Sequence, residues 1–201
     1  MIRAVVLDIG SVLEVIDDRV FPVPFEQRHG LAAGSVREAS DFPGDPGLGE
    51  ISEAQVRAHW QGRLGIDDRA ADELMADYWR WYAGTLDRRL YDWFAGIRAR
   101  GLTAAILSNS GSGAREAERH HGFEQITDVI FYSHEIGLRK PDPEVYGLVT
   151  ERLDVAPGEI VFLDDVPQAV AAARAAGWHA VRHEDTERSI AAIEAIIAVA
   201  A

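Results

Sequence analysis

The sequence predicts an α/β protein built on a doubly wound parallel sheet, with a small helical unit inserted after the first strand. Three observations carry that expectation. Five short apolar runs recur along the chain, segments of helical periodicity separate them from the second run onward, and residues 15–83 interrupt the rhythm. Strands that alternate with helices imply a parallel sheet covered on both faces.

The first run, "IRAVVLDI", is nearly continuous in apolar residues, as a strand buried on both faces requires, and it ends on a lone carboxylate, Asp8. The interruption then begins with Pro/Gly-rich stretches, "FPVPFEQRHG" and "DFPGDPGLGE", and continues with two helix patterns that have no strand between them. "SEAQVRAHWQGRLG" opens on a Ser52-x-x-Gln55 capping box, and "DRAADELMADYWRWYAG" repeats Leu74, Tyr78, Trp81 and Tyr82 at helical spacing. The spacing predicts a core made of residues 1–14 and 84–201 and a helical insert over 15–83. In "DRRLYDWFAGIRARG", Leu90, Trp93, Phe94 and Ile97 share a face, and Gly101 is placed to stop the helix. The runs "LTAAILSN", "TDVIFYS", "EIVFLDD" and "HAVRH" give the remaining strands, each expected to be buried on both faces. "DPEVYGLVTERLD", "VPQAVAAARAAG" and the Ala/Ile-rich tail from Thr186 supply the helices between and after them.

Composition narrows the function classes. With 201 residues and 47% hydrophobic content, the chain can bury a real core. Acidic residues outnumber basic ones, 33 against 20, so the formal charge of −13 repels phosphate backbones and anionic membranes. Nucleic acid and membrane are therefore not expected partners. The absence of cysteine removes disulfides, thiolate nucleophiles and Cys-based zinc sites. With no apolar leader and no run long enough to span a bilayer, a cytoplasmic protein is the expectation.

The residues that can carry chemistry cluster where strands end. Asp8 follows the first run, Ser108-Asn109-Ser110 the second and Asp164-Asp165 the fourth, while Lys140 in "GLRKPDP" lies beyond the third. In an open parallel sheet the carboxyl ends of all strands share one edge, where such folds bind ligands, so these residues can converge. Taken singly, each has an ordinary structural reading: turn former, helix cap or solvated lysine. Their conjunction points to a site. Three crowded carboxylates call for a cation, and a hard divalent ion such as magnesium suits them. Lysine and hydroxyl complement a phosphoryl oxygen, and a carboxylate can serve as a nucleophile. Other features read as structural: Trp60, Trp79, Trp81 and Trp93 as packing between insert and core, and His120-His121 as exposed.

Asp8 in "VVLDIGSVL", Ser108 in "ILSNS", Lys140 in "GLRKPDP" and Asp164-Asp165 in "VFLDDVPQAVAAARAAG" together resemble the four motifs of the haloacid dehalogenase-like hydrolase superfamily. The resemblance covers the whole core, and the insert lies where members with a small helical cap carry it. It implies a Rossmann-like core and a phosphatase of small phosphorylated metabolites that works with Mg2+, similar to sugar 1-phosphate phosphatases. By the same resemblance, Asp8 is the nucleophile and Ser108, Asn109 and Lys140 bind the phosphoryl group. Asp8, Asp164, Asp165 and the carbonyl of Gly10 hold the metal. The family pattern D-x-D-G-T/V places a second, acid/base aspartate where this chain has Gly10. That departure keeps two alternatives open, a metal-independent haloacid dehalogenase and a catalytically degenerate binding protein. Glu14, Asp17 and Asp18 are the nearest replacements for the missing acid.

Overall fold

The computed structural model describes residues 1–200. Strand β1, Ala4–Leu7, leads into a two-stranded antiparallel ribbon in which β2, Glu14–Val15, pairs with β3, Thr85–Leu86. Between the ribbon strands lies the insert, with α1 (Val23–Arg28), α2 (Ser35–Glu38), α3 (Glu53–Leu64) and α4 (Asp68–Ala83). After β3 come α5 (Arg88–Ala95), β4 (Thr103–Ser108), α6 (Ala114–Glu118), α7 (Phe123–Ile126), β5 (Val129–Tyr132) and α8 (Ser133–Ile136). The chain closes with α9 (Pro143–Leu153), β6 (Ile160–Asp164), α10 (Pro167–Ala175), β7 (His179–Arg182) and α11 (Thr186–Val199).

The five core strands are all parallel, in the order β5-β4-β1-β6-β7. β1 is central, and its pleat sends alternate residues to opposite faces. Val5 and Leu7 join Leu90, Phe94, Ile106 and Ile193 on one side, whereas Ala4 and Val6 join Tyr146, Val149, Phe162 and Trp178 on the other. Two helical layers therefore sandwich the sheet. Fully burying one such large apolar side chain stabilises the fold by about 1.5–3 kcal/mol, so both layers are needed to hold the strands.

Three details differ from the sequence reading. The segment that starts at Arg88 leaves α-geometry after Ala95 and resumes as a 3-10 turn over Arg98–Arg100, with Gly101 left-handed at its end. β7 is an edge strand, so His179 and Arg182 are exposed and its burial on both faces is lost. Trp93 packs in the core, away from the insert, and its indole donates to Glu194 Oε1 at 2.8 Å.

The insert has a hydrophobic cluster of its own, around Phe25, Val36, Trp60 and Leu74. Its Pro/Gly-rich first half is held by a buried carboxylate: Glu26 accepts from the amides of Gly34 and Val36, each at 3.0 Å, and so occupies donors at the start of α2. The expected capping box forms at α3, where Ser52 and Gln55 bond reciprocally.

Candidate active site

β1 and β6 are neighbours, and the amide of Asp8 donates to the Leu163 carbonyl at 3.0 Å, so Asp8 leaves its strand beside Asp164. Both carboxylates are buried. Lys140, itself buried, lies between them, with Nζ 2.8 Å from Asp8 Oδ1 and 2.6 Å from Asp164 Oδ2. Asp164 also accepts from the Val166 amide at 2.8 Å, which turns the chain after β6 and carries Asp165 to the same edge. Asp8, Asp164 and Asp165 each offer an oxygen within 4.8 Å of the others. Ser108 ends β4 on that edge.

Three carboxylates thus face one ammonium. Burial pushes the Asp8 carboxyl up to about 7; Lys140 opposes that rise and Asp164 adds to it. Burial likewise raises Asp165, with the neighbouring Asp164 charge contributing. Burial works against the Lys140 ammonium, yet the two flanking carboxylates prevail and its pKa lies above the ordinary lysine value. The donor set is all oxygen and carries excess negative charge, which suits a hard divalent cation such as Mg2+.

A cavity of about 310 Å³ opens onto these groups, lined among others by Gly10, Ser11, Trp81, Tyr82, Asn109 and Pro141. The sequence reading did not single out Ser11, Tyr82 or Pro141 for the site. Tyr82 has a signal in hindsight, since it lies in the last turn of α4, where the chain returns from the insert to the ribbon that follows β1. Asn109, expected to bind the phosphoryl group, lines this cavity and bonds to the backbone of Lys140. Its Nδ2 donates to the Lys140 carbonyl at 2.7 Å, and its Oδ1 accepts from the Lys140 amide at 2.9 Å. Asn109 therefore clamps the backbone that presents Lys140.

None of the candidate replacements for the missing acid is in the wall of this cavity. Asp17 is paired with Arg19 at 2.8 Å, and Asp18 accepts from the Trp81 indole at 3.0 Å. Glu14 is fully buried and absent from the cavity wall, and neither of its carboxylate oxygens has a hydrogen-bond partner. Near it lie Glu118, whose Oε2 accepts from Tyr132 Oη at 2.6 Å, and His121, whose Nε2 is 3.3 Å from Glu14 Oε1. His121 is thus turned inward, contrary to expectation, while His120 remains exposed.

The parallel α/β core thus gathers a carboxylate, a buried lysine and a carboxylate pair at its carboxyl edge, an acidic centre of the kind found in hydrolases that work through a hard cation. The model of the haloacid dehalogenase-like hydrolase family matches residues 2–177, and the chain belongs to that family. Among curated proteins, it is 27% identical over 210 residues to acyl-CoA dehydrogenase family member 10 of Mus musculus, an alignment covering 97% of this chain and 19% of that protein. It is 33% identical over 120 residues to phosphatase MT3486 of Mycobacterium tuberculosis, covering 58% of this chain and 54% of that one. The chain thus spans between about a fifth and about half of these relatives' length. Among solved structures, a family enzyme of Bacteroides thetaiotaomicron in complex with magnesium and inorganic phosphate superposes with a TM-score of 0.78 at 21% identity, covering 92% of this chain and 95% of that one. No helix among the described residues is long and apolar enough to cross a membrane.

Proposed function

We propose that the protein is a magnesium-dependent phosphatase that acts on a small phosphorylated metabolite by way of an aspartyl phosphate on Asp8. The observation that carries this reading is the convergence of Asp8, Asp164 and Asp165 around the single ammonium of Lys140. A carboxylate oxygen of Asp8 attacks phosphorus as the bond from phosphorus to the ester oxygen breaks, and that oxygen leaves with the electron pair. Water then attacks the same phosphorus and releases phosphate, restoring the carboxylate. Lys140 offsets the negative charge of nucleophile and phosphoryl group, and the Ser108 hydroxyl donates to a phosphoryl oxygen. Asp8, Asp164, Asp165 and the Gly10 carbonyl would hold Mg2+, which supplies charge neutralisation at the phosphoryl oxygens when bound. The insert between β2 and β3 serves as the cap over the cavity.

The kinship with the mycobacterial phosphatase supports this reading. Gly10 favours the dehalogenase alternative, because displacement of halide needs no acid to protonate the leaving group. The test is a panel of phosphate esters assayed with magnesium and with chelator, on wild type and Asp8→Asn. Turnover is expected only with the metal and only with Asp8 intact. Undiminished activity after exhaustive chelation, or a wild-type rate in Asp8→Asn, refutes the proposal. Metal-independent halide release selects the dehalogenase, and metal binding without turnover of any ester selects the binding protein.

A further inference from the structure

Beside the phosphoryl cavity lies a second one, of about 260 Å³, between α3, α4 and the loop after Ser110. Its walls include the rings of Phe42, Trp60, Tyr78 and Trp79, and Trp81 lines both cavities. The aromatics are mutually braced: Tyr78 packs edge-on against Trp79 at 4.8 Å and against Trp60 at 5.4 Å. Most of the polar groups at this wall are already engaged. Ser40 Oγ accepts from the Trp60 indole at 3.2 Å and donates to the Val36 carbonyl at 2.8 Å, and Ser112 Oγ donates to the Ile51 carbonyl at 3.0 Å. Glu53 Oε1 accepts from the Trp79 indole at 2.5 Å.

Charge decides what the space accepts. Among the described residues lining either cavity, Lys140 is the only cation, and it is held between Asp8 and Asp164. No arginine lines either cavity, and four that lie near lining residues in sequence are paired: Arg19 with Asp17, Arg80 with Asp77, Arg139 with Asp45, and Arg182 with Glu184. Glu53 faces the second cavity, and Asp18 holds Trp81 at the rim of the first. A substrate with a second acid would bring it among carboxylates with no partner, and like charges brought together across an interface are strongly disfavoured. Aromatic walls instead favour the flat or apolar face of a ring.

We infer that the leaving group is an uncharged ring seated between Trp81 and the aromatic wall of the insert, and that substrates bearing a second acidic group are rejected. This rests on the phosphatase reading and narrows it. Phosphorylated amino acids, bisphosphates and carboxylated sugars are excluded, whereas neutral pyranose and aryl phosphates fit.

The experiment compares matched pairs under magnesium: phenyl phosphate with 4-carboxyphenyl phosphate, and a pyranose 1-phosphate with the corresponding uronic acid 1-phosphate. In each pair that is turned over, kcat/KM is expected to favour the neutral member by about 10- to 100-fold. The aryl pair is the stricter one, because 4-carboxyphenol is the better leaving group and chemistry alone would reverse the order. Glu53→Gln, which keeps an acceptor for the Trp79 indole, should narrow the gap, chiefly through KM. Equal or better turnover of the carboxylated member overturns the inference, as does a gap that Glu53→Gln leaves unchanged. If no ester is turned over, it is the phosphatase reading that fails. The pocket is then tested by quenching of the fluorescence of Trp60, Trp79 and Trp81 as Asp8→Asn with magnesium is titrated with the aryl pair. Tighter binding of phenyl phosphate supports the inference, and equal binding refutes it.

Discussion

Glu14→Gln should remove a pH-dependent instability built into the ribbon at the base of the insert. Glu14 is 0% exposed, and neither carboxylate oxygen has a hydrogen-bond partner. The imidazole nearest to it, that of His121, is itself held below its ordinary pKa by burial and supplies no counter-charge at neutral pH. Burial, with the Glu118 and Asp8 charges adding, pushes the Glu14 carboxyl up to about 10 from an ordinary 4.5. The folded chain therefore keeps a proton that the unfolded chain gives up above pH 4.5. The associated stability is fully present below that pH and is lost as pH rises toward about 10. At about 1.4 kcal/mol per unit, the loss between pH 4.5 and 7 is at most about 3 kcal/mol. Glutamine is neutral throughout and escapes it. Urea denaturation of wild type and variant in chelator, from pH 5 to 8, gives the difference in stability at each pH. Subtraction cancels the titration of groups that do not feel Glu14 and the constant cost of burying an amide. The variant should gain on wild type by about 1.3 kcal/mol per pH unit. A difference that stays flat across this range would show that Glu14 is already ionised in the folded protein, and the argument from its burial would fail.

Lys140→Met leaves the Asp8 and Asp164 carboxylates without their ammonium, and breaking such a buried pair destabilises by about 3–5 kcal/mol. Thermal melts should show magnesium returning more stability to this variant than to wild type, and equal gains would place the cation elsewhere. Gly10→Asp is a permitted substitution at the backbone, since a Cβ there meets nothing within 4 Å. It should raise turnover of poor leaving groups by about 100-fold or more and flatten the dependence of rate on leaving-group pKa; an unchanged slope across substituted phenyl phosphates would mean that another group already supplies the proton. Hydrogen exchange at Glu14–Val15 and Thr85–Leu86 should change when tetrafluoroberyllate and magnesium bind, if the ribbon is the hinge of a closing cap. Unaltered exchange despite demonstrated binding counts against closure.

Much of this architecture is legible in the chain because the core strands are short, apolar and parallel. Every one delivers its carboxyl end to one edge, so Asp8, Ser108 and Asp164 can be brought together on paper by topology alone. Lys140 is harder, because it sits on a loop beyond α8, and only the clamp by Asn109 fixes where its ammonium reaches. That clamp is invisible in sequence: an Asn after a strand reads equally well as a ligand or as a turn former. Glu14 and His121 misled for a related reason. Glu14 reads as a candidate acid and His121 as exposed, but both are covered at the ribbon between core and insert, and polarity alone does not reveal which polar residues the rest of the chain will cover. The short helices of the insert escaped because Pro and Gly punctuate them, and their order depends on the Glu26 carboxylate as much as on local propensity.

The turn after Asp8 also explains what Gly10 is not for. Glycine is usually required where the backbone turns left-handed or where a Cβ would collide. Neither holds at Gly10, whose φ is not in the positive range and whose missing Cβ would face open space. The residue that does turn left-handed is the next one, Ser11, with φ of +58°, so the strain of about 1–3 kcal/mol for such a conformation falls on a serine. This matches the family pattern, which keeps its glycine at the position Ser11 occupies. Gly10 therefore contributes only the absence of a side chain, in a cavity wall next to the nucleophile. That absence removes a fourth carboxylate from a site where Lys140 already faces three. It also leaves open the space that a side chain at residue 10 would enter, since a Cβ there meets nothing within 4 Å. On the proposed reaction, the position that lacks an acid is matched by the substrates inferred above, because an aryl or anomeric oxygen bears negative charge better than an alkyl one and such esters are least in need of that acid.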